Sequence, residues 1–193
     1  MVNVKRSYPE PIALSKKRTK GRGKPSNIKL SKIKGVLGTL KRDFNNKCYI
    51  CEQKEFTDME IDHFIPHGDD KELMLCWDNL FFVCGHCNSV KSDIYNNIYT
   101  PIFDDKEILN CTDPHHDVVN WIKYEHDLLS EPMVILTTVV NDEAYRKIVD
   151  NTVELLVYVY SGKSIAQEHQ AENLRKSLEK EMVYFYEILQ QYY

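Results

Sequence analysis

Two cysteine pairs constrain this chain more than any other stretch: Cys48-x-x-Cys51 in "KCYICE" and Cys84-x-x-Cys87 in "VCGHCNSVKSD". Each pair sets two thiolates at one tight turn, and two such turns complete the tetrahedral four-sulphur shell that zinc prefers. The 32 residues between the knuckles, 52–83, are too many for a simple ribbon. That segment must therefore fold as a unit and bring both knuckles together. A structural Zn²⁺ on Cys48, Cys51, Cys84 and Cys87 is expected, and the alternative is four buried thiols. Such an ion contributes about 10–16 kcal/mol to folding, enough to hold a short two-strand insert.

The rest of the composition sets the surroundings. Hydrophobic residues make up 42% of the 193, enough for an ordinary core. No run of 18 apolar residues occurs, so no membrane span is expected. "MVNVKRSYPEP" lacks the apolar stretch of a secretory signal, and a cytoplasmic location is the expectation. In that reducing setting six cysteines read as metal ligands or buried thiols rather than disulfides. Cys76 and Cys111 are expected as small buried hydrophobes. "CTDPHH" offers Cys111, His115 and His116, a set one ligand short of a structural zinc site. The net charge of -4 hides an asymmetry: residues 1–47 hold 14 Lys+Arg against Glu10 and Asp43, a net +12, and the remainder is -16. A basic arm on an acidic body suits a polyanionic partner; the bland reading is a solvated tail.

The pattern reads as an α+β chain in three parts. Residues 1–30 form an extended basic arm, rich in Gly, Pro and charge. Residues 31–105 form the compact unit with the knuckles. Ile33, Val36, Leu37, Leu40 and Phe44 lie on one helical stripe; "MEIDHFI" alternates as a strand, "NLFFVC" reads as a buried strand and "NSVKSDIYNNI" as a helix. Residues 106–193 hold a hairpin from "VVNWIKYE" and "PMVILTTVV", then two helices. The first is capped by Asn141 or Asp142. The second, about 164–193, shows a stripe of Ile165, Leu174, Leu178, Met182, Phe185 and Leu189, expected to pack into the core.

Chemistry concentrates inside the insert. Asp62 and His63 are neighbours on the first strand, and Pro66 ends that strand soon enough for both side chains to reach one site. Asn79 follows in "WDNL", and Asn88 opens the helix after the second knuckle. A carboxylate and an amide oxygen are hard donors for Mg²⁺, and a neutral histidine takes a proton from water near pH 7. The set suits metal-assisted phosphodiester hydrolysis.

The order CxxC, DHxxP, N, CxxCNxxK resembles the HNH endonucleases, whose ββα-metal core is stabilised by zinc; the match runs over about residues 44–95. The resemblance implies His63 as general base, Asp62 and Asn88 as ligands of a catalytic Mg²⁺ or Mn²⁺, and Asn79 as the brace that orients His63. Asn88 stands where many members carry a histidine, a variant also found in CRISPR effector nucleases, and its hard oxygen favours Mg²⁺ or Mn²⁺. Lys91, one turn after Asn88, is a candidate phosphate contact or a solvated helix lysine. His67 lies at the cleft rim as a possible phosphate contact, better read as an exposed loop histidine, and His86 is expected to be exposed and idle.

Over nearly the whole chain the sequence is similar to PtuB, the nuclease subunit of Septu-type and retron-associated antiphage systems, which works with a PtuA-like ABC/SMC-like ATPase. That implies an antiviral DNA nuclease whose acidic C-terminal half docks the ATPase. The alternatives are a nuclease acting on RNA such as tRNA, and a non-catalytic zinc-stabilised nucleic-acid-binding adaptor.

Overall fold

The computed structural model describes residues 1–20, 28–96, 107–127 and 133–192. Its centre follows from two unlike strands. The alternating run forms β1 (Met59–His63) and the wholly apolar run forms β2 (Leu80–Cys84), paired antiparallel with Met59 opposite Cys84 and His63 opposite Leu80. All of β2 is buried, whereas β1 buries only Asp62 and keeps one side open. β2 runs directly into a helix, labelled α4 below (Gly85–Asn96), which lies against both strands and completes a β-β-α unit. A Cβ at Gly85 would sit 2.5 Å from Oδ2 of the exposed Asp58, so a side chain at the junction would require that carboxylate to swing aside.

Phe81 is the hub of the core beneath this unit. The rings of Tyr49 and Phe64 each lie 4.9 Å from it, and that of Phe44 lies 5.5 Å away. Phe44 caps α2 (Val36–Asp43), whose buried Val36 and Leu40 belong to the expected stripe. The helix starts only at Val36, because Gly35 has φ +86° and interrupts the helical backbone. Leu30–Lys32 form a separate 3-10 turn ahead of it.

The extended reading of residues 1–30 fails over Ile12–Lys20, which form helix α1 with Leu14 fully buried. The preceding residues also enter the core, through Arg6. Its guanidinium donates to the carbonyls of Trp77 (2.8 Å) and Leu80 (2.9 Å), lies 4.4 Å over the Trp77 ring, and stands 3.7 Å from Asp43. Aromatic faces and an acid brought from elsewhere in the chain thus turn a charged stretch into packed structure. Residues 21–27 of the arm lie outside the described residues. Arg6→Ala would strip the Trp77 and Leu80 carbonyls of their donors and leave Asp43 without its cation. The expected loss is about 3–5 kcal/mol, measured by urea unfolding.

A short helix α3 (Lys71–Met74), capped by Asp70, precedes β2. In the C-terminal part, β3 (Ile122–Asp127) and β4 (Met133–Thr138) pair antiparallel, as the hairpin pattern predicts. The connecting residues 128–132, and the boundary at 105/106, lie outside the described residues. α5 (Glu143–Ser161) is capped by Asp142, and α6 (Ile165–Gln190) by Ser164. The expected α6 stripe needs correction. Gln167, Ala171 and Leu174 form the buried side, with Ile165 87% and Phe185 57% exposed. Val183, Tyr184, Phe185 and Tyr186 are all exposed. Four consecutive residues span every side of a helix, so this end of α6 exposes apolar surface all round.

Candidate metal centre and active site

The four cysteine sulphurs all lie within 4.8 Å of one another, with Cys51 and Cys84 4.0 Å apart. Tetrahedral zinc with bonds of about 2.3 Å separates its sulphurs by about 3.8 Å, so the residues fit the ion. The first knuckle hangs on β2 through the Tyr49 N–H to Phe82 O bond (3.0 Å), and the second is the β2–α4 junction itself. Burial opposes a thiolate at Cys48, but hydrogen bonds from the other three cysteines outweigh it and hold the thiol well below its ordinary value. Cys51 and Cys87 are pushed well up in turn. Four sulphurs converging in a largely buried pocket suit a divalent cation.

Of the candidates at 111–116, Cys111 and His116 are buried and His115 is exposed. Burial pushes the Cys111 thiol up to about 12. The buried His116 accepts the Asn110 N–H on Nδ1 (2.9 Å) and packs beside Trp121 and Tyr145. His86 is also not idle: its Nε2 donates to the Val159 carbonyl (2.8 Å), tying the second knuckle to α5.

Strand alternation separates Asp62 from His63. Asp62 turns toward α4, is 8% exposed, and through Oδ2 accepts hydrogen bonds from Tyr49 Oη (2.7 Å) and Lys91 Nζ (2.5 Å). Lys91 therefore neither meets solvent nor faces the cleft. It is buried, and its Nζ also donates to the carbonyls of His63 (2.8 Å) and Phe64 (3.1 Å). Position 91 is one helical turn from Asn88, on the side of α4 that meets β1, and an inward Asp62 draws it in. Burial pulls the Lys91 pKa down and the Asp62 charge pushes back; burial also holds the Tyr49 phenol well above its ordinary value.

His63 turns the other way, into a cleft of about 480 Å³ lined also by Glu60, His67 and Met74. Its Nε2 lies 3.0 Å from the Met74 carbonyl, and its ring is 4.5 Å from that of His67. Burial lowers the His63 pKa, with the Met74 carbonyl pulling the other way. Asn79 spans the loop after β1: its Oδ1 accepts the Ile65 N–H (2.7 Å), and its Nδ2 donates to the carbonyls of Ile65 (2.8 Å) and Leu73 (3.2 Å). Asn88 does not meet Asp62 directly; its Nδ2 donates to Glu60 Oε2 (2.5 Å). Sequence reasoning passed over Glu60. The signal was its parity with Asp62, two residues apart on one strand.

These distances describe a four-cysteine cluster beside a histidine cleft on a β-β-α frame. Residues 48–93 match the HNH endonuclease family. An HNH domain with a four-cysteine cluster is thus present within a mixed α+β chain. Comparison with curated proteins and with solved structures gave no match. The HNH domain supports a nuclease function in general and contact with nucleic acid. Among the described residues no helix is long and apolar enough to cross a membrane.

Proposed function

We propose that this chain is a metal-dependent endonuclease that hydrolyses phosphodiester bonds, with DNA as the preferred substrate. The observation that carries the reading is the His63–Met74 contact. A carbonyl only accepts, so Nε2 must hold the proton and Nδ1 keeps its lone pair. With its pKa lowered by burial, the ring stays neutral near pH 7 and serves as the base that takes a proton from the attacking water. Asn79 serves as a positioning residue, fixing the loop that follows His63. His67 lines the same cleft, which supports a contact between it and a phosphate oxygen.

Asp62 and Asn88 would hold Mg²⁺ or Mn²⁺. Both offer hard oxygens, and the Tyr49 and Lys91 bonds occupy Oδ2 of Asp62, leaving Oδ1 for the cation. Glu60, already on Asn88, supplies a further carboxylate. The bound cation would neutralise charge on the phosphate and the leaving oxygen. In this reading the chain acts in antiphage defence beside an ABC/SMC-like ATPase, as the similarity to the Septu-type subunit implies, and docks it through the acidic C-terminal half.

Matched DNA and RNA oligonucleotides, incubated with Mg²⁺ or Mn²⁺ in the presence and absence of the ATPase, test the substrate. Cut DNA beside intact RNA is the expected result. The reverse selects an RNase, and intact strands of both kinds with the ATPase present select the adaptor.

A further inference from the structure

We propose that a groove of lysines leads the nucleic-acid backbone into the His63 cleft from one side, past Lys17, Lys34, Lys32 and Lys29. This rests on the nuclease reading and adds the path of its substrate. Beside the His63 cleft lies a second hollow of about 550 Å³, lined by these four lysines together with Ala13, Ile28 and Ile33. Ile28 and Lys29 line both, so the two hollows adjoin.

The charges in the second hollow are of one sign. All four lysines are exposed and no acid lines the hollow. Elsewhere in the same N-terminal stretch Arg6, Arg18 and Lys47 are each matched with an acid, Asp43, Glu10 and Glu52. Among the described residues no carboxylate pairs with Lys17, Lys29, Lys32 or Lys34. Unneutralised cations gathered around one hollow suit a chain of single negative charges, and Lys29 is shared with the cleft of the proposed base.

The row is also fixed in place, which separates it from a solvated tail. Leu14 buries the apolar side of α1, and Lys71 of α3 donates to the Arg18 carbonyl (3.3 Å), pinning the end of α1 to the loop that carries His67. The cleft itself is lined by Glu60 and Asp69. Those acids oppose a phosphate until a cation is bound, whereas the groove needs no cation to hold the polymer. Binding therefore survives the absence of divalent metal.

The test is fluorescence anisotropy of labelled duplex DNA, single-stranded DNA and RNA with the full-length His63→Ala protein, without added divalent cation. Salt is varied over about 50–200 mM, where phosphate contacts set the slope of log K against log salt. Combining Lys17→Ala, Lys32→Ala and Lys34→Ala is expected to reduce that slope by about 2–3, since each lost phosphate contact contributes about 0.7–0.9. A control triple, Lys123→Ala, Lys176→Ala and Lys180→Ala, makes the same change in net charge away from the groove and is expected to reduce it by less than about one. The polymer on which the groove triple acts most strongly identifies the substrate class. Equal slopes in the two triples, or no salt-dependent binding at all, would overturn the groove. Cleavage of bis(4-nitrophenyl) phosphate by the parent protein with Mn²⁺ reports the chemistry separately. If the parent fails there and on polymers while the groove triple still loses its slope, the nuclease reading falls and the groove stands.

Discussion

Cys87→Ala is expected to abolish the native fold at 25 °C rather than weaken it. Four-sulphur zinc binding contributes about 10–16 kcal/mol, and the whole net stability of a domain is about 5–15 kcal/mol. Losing one ligand from the cluster removes most of the first quantity, which the second cannot absorb. The effect reaches the site, because Cys87 immediately precedes Asn88 at the start of α4 and Cys84 ends β2. Circular dichroism and bound-zinc analysis check the result. The variant should show no cooperative melt and less than one zinc per chain. Chelation should unfold the parent, and added Zn²⁺ should restore it. Cys76→Ala, which removes a thiol outside the cluster, should melt within a few degrees of the parent. A Cys87→Ala protein that melts beside the parent would show that the sulphurs do not carry a structural ion.

His63→Ala is expected to lower phosphodiester cleavage by about 10²–10⁴-fold while leaving the melting temperature nearly unchanged. The side chain is half-buried and its described hydrogen bond is to the Met74 carbonyl, so its removal costs only about 1 kcal/mol of stability. On the proposed reading the rate falls because Nδ1, the nitrogen left with its lone pair by the Met74 contact, is lost as the base. His67→Ala removes the neighbouring ring without touching that lone pair, and a fall of less than about tenfold is expected. Rates from single-turnover cleavage, read beside melting curves of the same preparations, separate lost chemistry from lost fold. Equal falls in the two variants would mean that the base is misassigned.

The knuckles, β1, β2 and α4 were legible because each depends on local pattern: CxxC pairs, an alternating run, an apolar run, and a helix beginning at a fixed ligand. The parts that were not legible depend on distant partners. Nothing near Arg6 announces that Trp77, Phe81 and Asp43 will enclose its guanidinium, so a basic stretch read as an arm. Lys91 looked like a surface lysine because its inward turn follows from Asp62 facing α4, which adjacency to His63 concealed. Glu60 resembled an ordinary strand-edge charge until Asn88 met it. On α6 the apolar spacing continues to Leu189, but periodicity carries no information about where the packed body ends; Phe185 keeps the register and still lies exposed.

The most direct test of the central claim is conversion of supercoiled plasmid by zinc-loaded protein freed of other divalent ions, before and after addition of Mg²⁺ or Mn²⁺. The account predicts no conversion before addition, nicked or linear plasmid after it, and none with His63→Ala under either condition. Conversion that proceeds equally in the His63→Ala protein would contradict it.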